Sequence, residues 1–319
     1  MTAPTARRGS GGRPTSGRGA SSSSAGTREE SGPRTLAGPG TALIQRFRTA
    51  AWLGWQIEAN WADPFTFVIY SVLRPLATAL ILAVMYSAVA GVATSAQAFL
   101  GFYVANAFHE YVTRILVGMG WVVVEEREEY ETLKYIYASP VGIFTYLWGR
   151  STVKFAQATL SMMLILAMGW MVMGLRWDWG AVRWAPLLLS FVLGLTAVVY
   201  FGFLVAGWAL VLPRAAISVN EGVAAGLYLL CGVIFPIDLL PRVLQALAIA
   251  LPFTWWYEAL RRFMLGRGAS DTLAGFSDPQ LIAALALSTT VLSCLSVWGY
   301  HALERRARRQ GKLDQATLF

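Results

Sequence analysis

The sequence predicts an all-α polytopic membrane protein with six transmembrane helices, and three observations carry that reading. The 319-residue chain is 56% hydrophobic and 14% charged, with a mean hydropathy of +0.51. Its apolar residues fall in long runs rather than in period-two or single-face patterns, as helices surrounded by lipid require. Its basic residues are almost all arginine and gather toward the two ends. These features exclude an ordinary soluble enzyme. The net charge of +8 would suit nucleic acid, but arginines flanking apolar runs follow the positive-inside rule and meet anionic headgroups, so no nucleic-acid partner is expected.

Residues 1–40 are rich in Ser, Gly, Arg and Pro and cannot bury enough apolar surface to order themselves, so they read as a disordered basic tail. Arg7 and Arg8 are followed by Gly-Ser-Gly-Gly rather than an apolar region, so no cleaved export signal is expected. Residues 41–60 alternate apolar and polar positions at helical spacing with Trp52 and Trp55, which predicts an amphipathic helix lying at the cytosolic surface until Asp63-Pro64 stops it. Spans follow at 65–91, with Pro75 kinking its early turns, then at 98–124, 144–174 and 184–212. A fifth begins at Glu221 and runs through Phe235, and a sixth occupies 280–302. An even number of spans puts both termini on one side, and the tail arginines place that side in the cytosol, leaving 306–319 as a second basic tail. Arg261, Arg262 and Arg267 then fall on the outer side, against the rule.

Between the second and third spans lies EEREEYETLKYIYASP, Glu125 to Pro140, too densely charged for lipid. Tyr130, Leu133 and Ile136 or Tyr137 make an apolar stripe on a short helix closed by Pro140, which predicts an element that docks into a groove. A solvated charged loop is the plainer alternative. Farther on, Pro236, Pro241 and Pro252 fall within 17 residues of apolar sequence. Each lacks an N–H and clashes with the preceding turn, so no continuous helix can cross there, and a re-entrant hairpin open to the outer face is expected.

These two segments together resemble the permease subunit of the ABC-2 type exporter family. In the first, Arg127, Glu128, Thr132, Leu133, Ser139 and Pro140 match the family pattern. Glu131 stands for the usual Gly, Lys134 for the usual Glu, and Ile136-Tyr137 for a leucine pair. In the second, Gly232, Phe235, Pro236, Leu240, Pro241, Leu251, Pro252, Glu258 and Arg261 carry the series in order. The resemblance covers residues 42–305, with 41–305 as one transmembrane domain. It implies ATP-driven export of an amphiphilic small molecule, drug or lipid-like compound. It further implies a second permease subunit in the inner membrane, a homodimer by the family architecture, with a heterodimer open. No Gly-x-x-x-x-Gly-Lys-Ser/Thr loop occurs, so ATP and Mg would sit on a separate ATPase subunit, and this chain would bind no cofactor of its own. The segment from Arg127 through Ile136 to Pro140 would then couple that ATPase to the spans.

Other residues admit paired readings. Glu110 and Arg114, one turn apart in the second span with His109 and Thr113 alongside, suit a polar lining or gate, or else a self-neutralising ion pair. Glu110 or Glu258 would be the coupling group of the alternative, an ion-coupled secondary transporter. Gly222 and Gly226 offer a close-packing face within the chain or across a dimer axis. Trp255, Trp256 and Tyr257 read as an interfacial aromatic belt in preference to a stacking site, and Glu258 with Arg261 as a brace at the outer surface. Cys231 and Cys294 are small buried hydrophobes, and no metal-ligand spacing is present.

Overall fold

A computed structural model describes residues 39–60, 72–90, 96–139, 142–175 and 178–311. The basic tail, the Asp63-Pro64 stop, the start of the first span, Pro140 and Lys312 lie outside the described residues. Those described are helical or in turns, with no strand among them.

Helix α1 spans Pro39–Asn60 and α2 spans Arg74–Ala90. Residues 72–73 are π-helical and run directly into α2, so Pro75 lies at a join between π and α turns, and the turns before it lie outside the described residues. Helix α3, Ala96–Tyr111, passes through a π turn at Val112–Leu116 into α4, Val117–Glu128, giving an unbroken helical run. The short α5 spans Leu133–Ala138. Helices α6, Ile143–Met171, and α7, Trp184–Val211, are long and apolar. Helix α8, Ala216–Leu230, precedes the proline-broken segment, which forms α9, Arg242–Ala250, and α10, Pro252–Leu265. A single turn α11, Asp271–Ala274, leads to α12, Asp278–Arg309.

Three of the described helices, α6, α7 and α12, are long and apolar enough to cross a membrane. Helix α12 starts cleanly because Ser277 and Gln280 form a reciprocal capping box, with Ser277 N–H donating to Gln280 Oε1 at 2.9 Å. It continues to Arg309, so the first residues of the expected C-terminal tail are its last turn.

The core gathers around α7, against which α4, α8, α10 and α12 pack. Close approach requires glycine at two seams. Gly194 of α7 lies under the Trp256 indole, where no Cβ fits. Gly149 of α6 meets α1 so closely that a Cβ would lie 2.8 Å from the Ala50 carbonyl carbon. Helix α1 is held to α6 along that seam and leaves Ile44, Trp52 and Trp55 exposed.

Candidate functional site

The charged elbow begins inside the protein. In the last turn of α4, Glu126, Arg127 and Glu128 are all buried, and buried charge is tolerated only when partnered. Arg127 Nε donates to Glu128 Oε1 at 2.7 Å and its Nη1 to the Ala209 carbonyl of α7 at 2.9 Å. The Glu126 carboxylate accepts from the hydroxyls of Tyr146 and Thr132. Glu125 pairs at 2.7 Å with Arg150, itself 1% exposed. One helix end is thus wired to α6, to α7 and across the turn to α5.

The chain then reverses over Glu129–Thr132. The Tyr130 N–H donates to the Glu125 carbonyl at 3.0 Å and the Thr132 N–H to that of Glu126 at 2.8 Å. Glu131 adopts φ 51°, the left-handed region that glycine occupies without penalty. That conformation explains why the family pattern has Gly at this position.

Helix α5 corrects the sequence reading of its own amphipathicity. Leu133 is 1% exposed, packed into this chain's core, and Ile136 and Tyr137 lean on the same core. The Tyr137 hydroxyl meets that of Tyr300 on α12 at 2.9 Å, and the Arg308 guanidinium lies 4.6 Å from the Tyr137 ring. Of the stripe expected to enter a partner's groove, Leu133, Ile136 and Tyr137 therefore seat the elbow, while Tyr130 stays exposed. Facing outward instead are Tyr130, Glu131, Lys134, Tyr135 and Ala138, with Tyr135 66% exposed and the Lys134 ammonium 5.4 Å from its ring centre. Ser139 closes α5, its hydroxyl donating to the Ile136 carbonyl at 2.9 Å.

The proline-broken segment forms two helices and a turn. Gly232 takes φ 76° just after α8, and Phe235 and Pro236 beyond it are half-buried. Pro241 precedes α9 and Pro252 opens α10. The two helices are tied by Thr254 Oγ1 donating to the Ala248 carbonyl at 2.6 Å and Trp255 Nε1 to that of Ile249 at 2.8 Å.

Two expectations fail here. Trp255, Trp256 and Tyr257 are buried and form core rather than an interfacial belt. Glu258 and Arg261 are likewise buried rather than at the surface. Arg261 reaches the carbonyls of Gly101 on α3, at 3.0 Å, and Gly232, and it stands 5.1 Å from the Phe102 ring. Glu258 accepts from the Ala269 N–H at 3.1 Å and lies 3.7 Å from Arg262. Arg262 also donates to the Phe276 and Leu273 carbonyls. Arg261 and Arg262 are thus spent on internal carboxylates and carbonyls.

Glu110 and Arg114 form the expected ion pair at 3.3 Å, each about one-sixth exposed, at the π turn. Beside them His109 Nδ1 lies 2.8 Å from the Tyr257 hydroxyl, and Tyr228 donates to Asn106 Oδ1 at 2.7 Å. Among the described residues, nothing lies within 4 Å of where a Cβ on Gly222 or Gly226 would stand. Cys231 is buried, whereas Cys294 is exposed on α12. No group of metal-ligating side chains occurs among the described residues.

Sequence reasoning missed Tyr146, Arg150, Tyr300 and Arg308, which hold the elbow. An arginine inside the apolar run 143–171 was the available signal for the first two. The ABC-2 type transporter family model matches residues 46–265, which takes in the elbow and the whole of α10. Comparison with curated proteins returns no match.

Proposed function

Because this chain belongs to the ABC-2 type transporter family, a multi-pass membrane family whose members work with an ABC ATPase, we propose that it is the permease of an ATP-driven exporter. Its elbow is the contact for a separate ATPase subunit. The observation that supports this is the two-faced elbow. Its inner face is bonded to α6, α7 and α12, while its outer face presents Tyr130, Lys134 and Tyr135. A load applied to the outer face therefore reaches three long helices through side-chain bonds rather than through flexible loop. Arg127, Glu128, Thr132, Leu133, Ile136, Ser139 and Pro140 act on this view as the seat of the coupling element, and the tyrosine and lysine face as its contact.

Six spans in the inner membrane, with cytosolic termini, complete the proposal. The run Ala96–Glu128 supplies a fourth long helix and α2 continues the first span. Helix α8, 15 residues long, extends about 22 Å, short of a hydrocarbon core of about 30 Å. The α9–α10 hairpin fills the remaining depth from the outer face. A second permease covers the open Gly222 and Gly226 face. The cargo is an amphiphilic small molecule, drug or lipid-like compound. Ion-coupled transport draws no support from the geometry, since Glu110 is held by Arg114, and Glu258 by Arg262 and the Ala269 amide.

The test is co-purification in mild detergent with mass spectrometry of what accompanies the chain. Recovery of a Walker A ATPase from wild type, lost in Tyr135→Asp with the chain still in the membrane, is the expected result. Undiminished recovery in Tyr135→Asp would refute the proposed contact face.

A further inference from the structure

Beside the tight seam where Ala50 meets Gly149, helices α1 and α6 diverge into a groove of about 660 Å³. Arg48, Thr49, Trp52 and Trp55 line it from α1, with Thr152 and Val153 from α6. The chemistry of this groove is divided. Arg48 is exposed, and no carboxylate among the described residues pairs with it. Trp52 and Trp55, one and two turns farther along, are 62% and 53% exposed. An isolated anion would satisfy the guanidinium and leave both indoles in water. A neutral lipid would cover the indoles and leave the cation without a counter-charge. A molecule with an anionic head and an acyl chain satisfies both.

We propose that this groove holds one anionic phospholipid, its phosphate against Arg48 and its upper acyl chain along Trp52, Trp55 and Val153. Tryptophan favours the headgroup boundary and arginine its phosphates, so the residue types match the two layers of a bilayer surface. The bound lipid fills the wedge that the Ala50–Gly149 contact leaves open and joins α1 to α6. Helix α6 also carries Arg150, the partner of Glu125 in the elbow. The lipid therefore sits one turn from the element that bears load in the proposed function. A second basic surface, Arg305, Arg306 and Arg309 at the end of α12, is lined by Ala302 and Gln310 with no aromatic wall and offers nothing for an acyl chain to lie along.

The inference rests on α1 lying at the membrane surface, and the experiment reads that separately. The full chain, purified in mild detergent, is mixed with phosphatidylglycerol or phosphatidylcholine of equal chain length, and retained lipid is counted by native mass spectrometry. Wild type is expected to retain one phosphatidylglycerol in preference to phosphatidylcholine. Arg48→Gln should cut that preference roughly fivefold, the worth of one arginine near an anionic surface. Arg46→Gln, on the same helix but outside the groove, should leave it unchanged, and Trp52→Ala should weaken retention of both lipids. Equal retention of the two lipids by wild type, or equal losses in Arg46→Gln and Arg48→Gln, would overturn the site. Displacement by soluble glycerophosphate would show a bare anion site and overturn it too. Placement of α1 is read from a fluorophore on Ile44→Cys, in a chain carrying Cys294→Ser so that the exposed native thiol is not labelled, in vesicles carrying nitroxide lipids. Absence of quenching there defeats the interfacial reading itself, whereas quenching without phosphatidylglycerol preference defeats only the lipid site.

Discussion

Glu131 shows how a single residue can carry a record of its position's geometry. Its φ of 51° places an L side chain where Cβ crowds the following carbonyl, and the turn is held there by the Tyr130 and Thr132 amides. Glu131→Gly should relieve that strain, offset in part by the freedom glycine gains in the unfolded chain. A net gain of up to about 1 kcal/mol is expected, seen as a higher thermal midpoint of the detergent-solubilised chain; an unchanged or lower midpoint would show the turn to be unstrained. The substitution was visible in the sequence as a departure from the family pattern, but its consequence was not. Leu133 teaches the opposite lesson. Its apolar spacing was legible, and the spacing says only that one face must be covered, not by what. Tyr300, 163 positions beyond Tyr137, decides that this chain covers its own stripe.

At the scale of elements, the broken segment after α8 was the most legible feature, because proline's missing N–H is a local property that no tertiary contact can repair. What the segment does with its freed polar groups was not legible. Asp238, in the turn before α9, accepts hydrogen bonds from the Ser270 hydroxyl at 3.1 Å and from the Asp271 and Thr272 amides at 2.9 and 3.0 Å. It thereby ties this turn to the start of α11. Partial burial raises its carboxyl pKa, but the bonds from Thr272, Ser270 and Asp271 outweigh that and hold it below the usual value. A depressed folded pKa means the clasp stabilises fully above the unfolded value of about 3.9, and the stabilisation is lost as pH falls through the folded value. Protection factors for amide exchange over 266–277 should therefore fall below pH 4, and Asp238→Ala should show that lower protection already at pH 7. Protection insensitive to both changes would mean the clasp contributes nothing. The α1–α6 seam supplies a companion test. Gly149→Val drives a side chain into the Ala50 backbone and should cost about 1–3 kcal/mol, measured as earlier thermal unfolding; a wild-type midpoint would show that α1 docks elsewhere.

For the whole molecule, the open face of α8 is the chief consequence. Gly222 and Gly226 lie in apolar sequence with no described residue within 4 Å of where their Cβ atoms would stand, and Glu221 stands beside Gly222 on the exposed side. Small residues let helix backbones approach closely in a bilayer, so a second permease is the natural cover. Gly222→Val should leave the thermal unfolding of the isolated chain unchanged while lowering the yield of crosslinked dimer in membranes several-fold. A full yield of dimer would place the pairing surface on another helix. Membrane residence, helical class and the broken segment could all be read from the chain alone, because they follow from local composition and from backbone groups that lipid cannot satisfy. Long-range packing settled which surface of α5 faces outward and the burial of Glu258, Arg261 and the Trp255–Tyr257 run. Each of these depends on which distant helix comes to lie alongside, and hydrophobic periodicity specifies that a face is buried without specifying its neighbour.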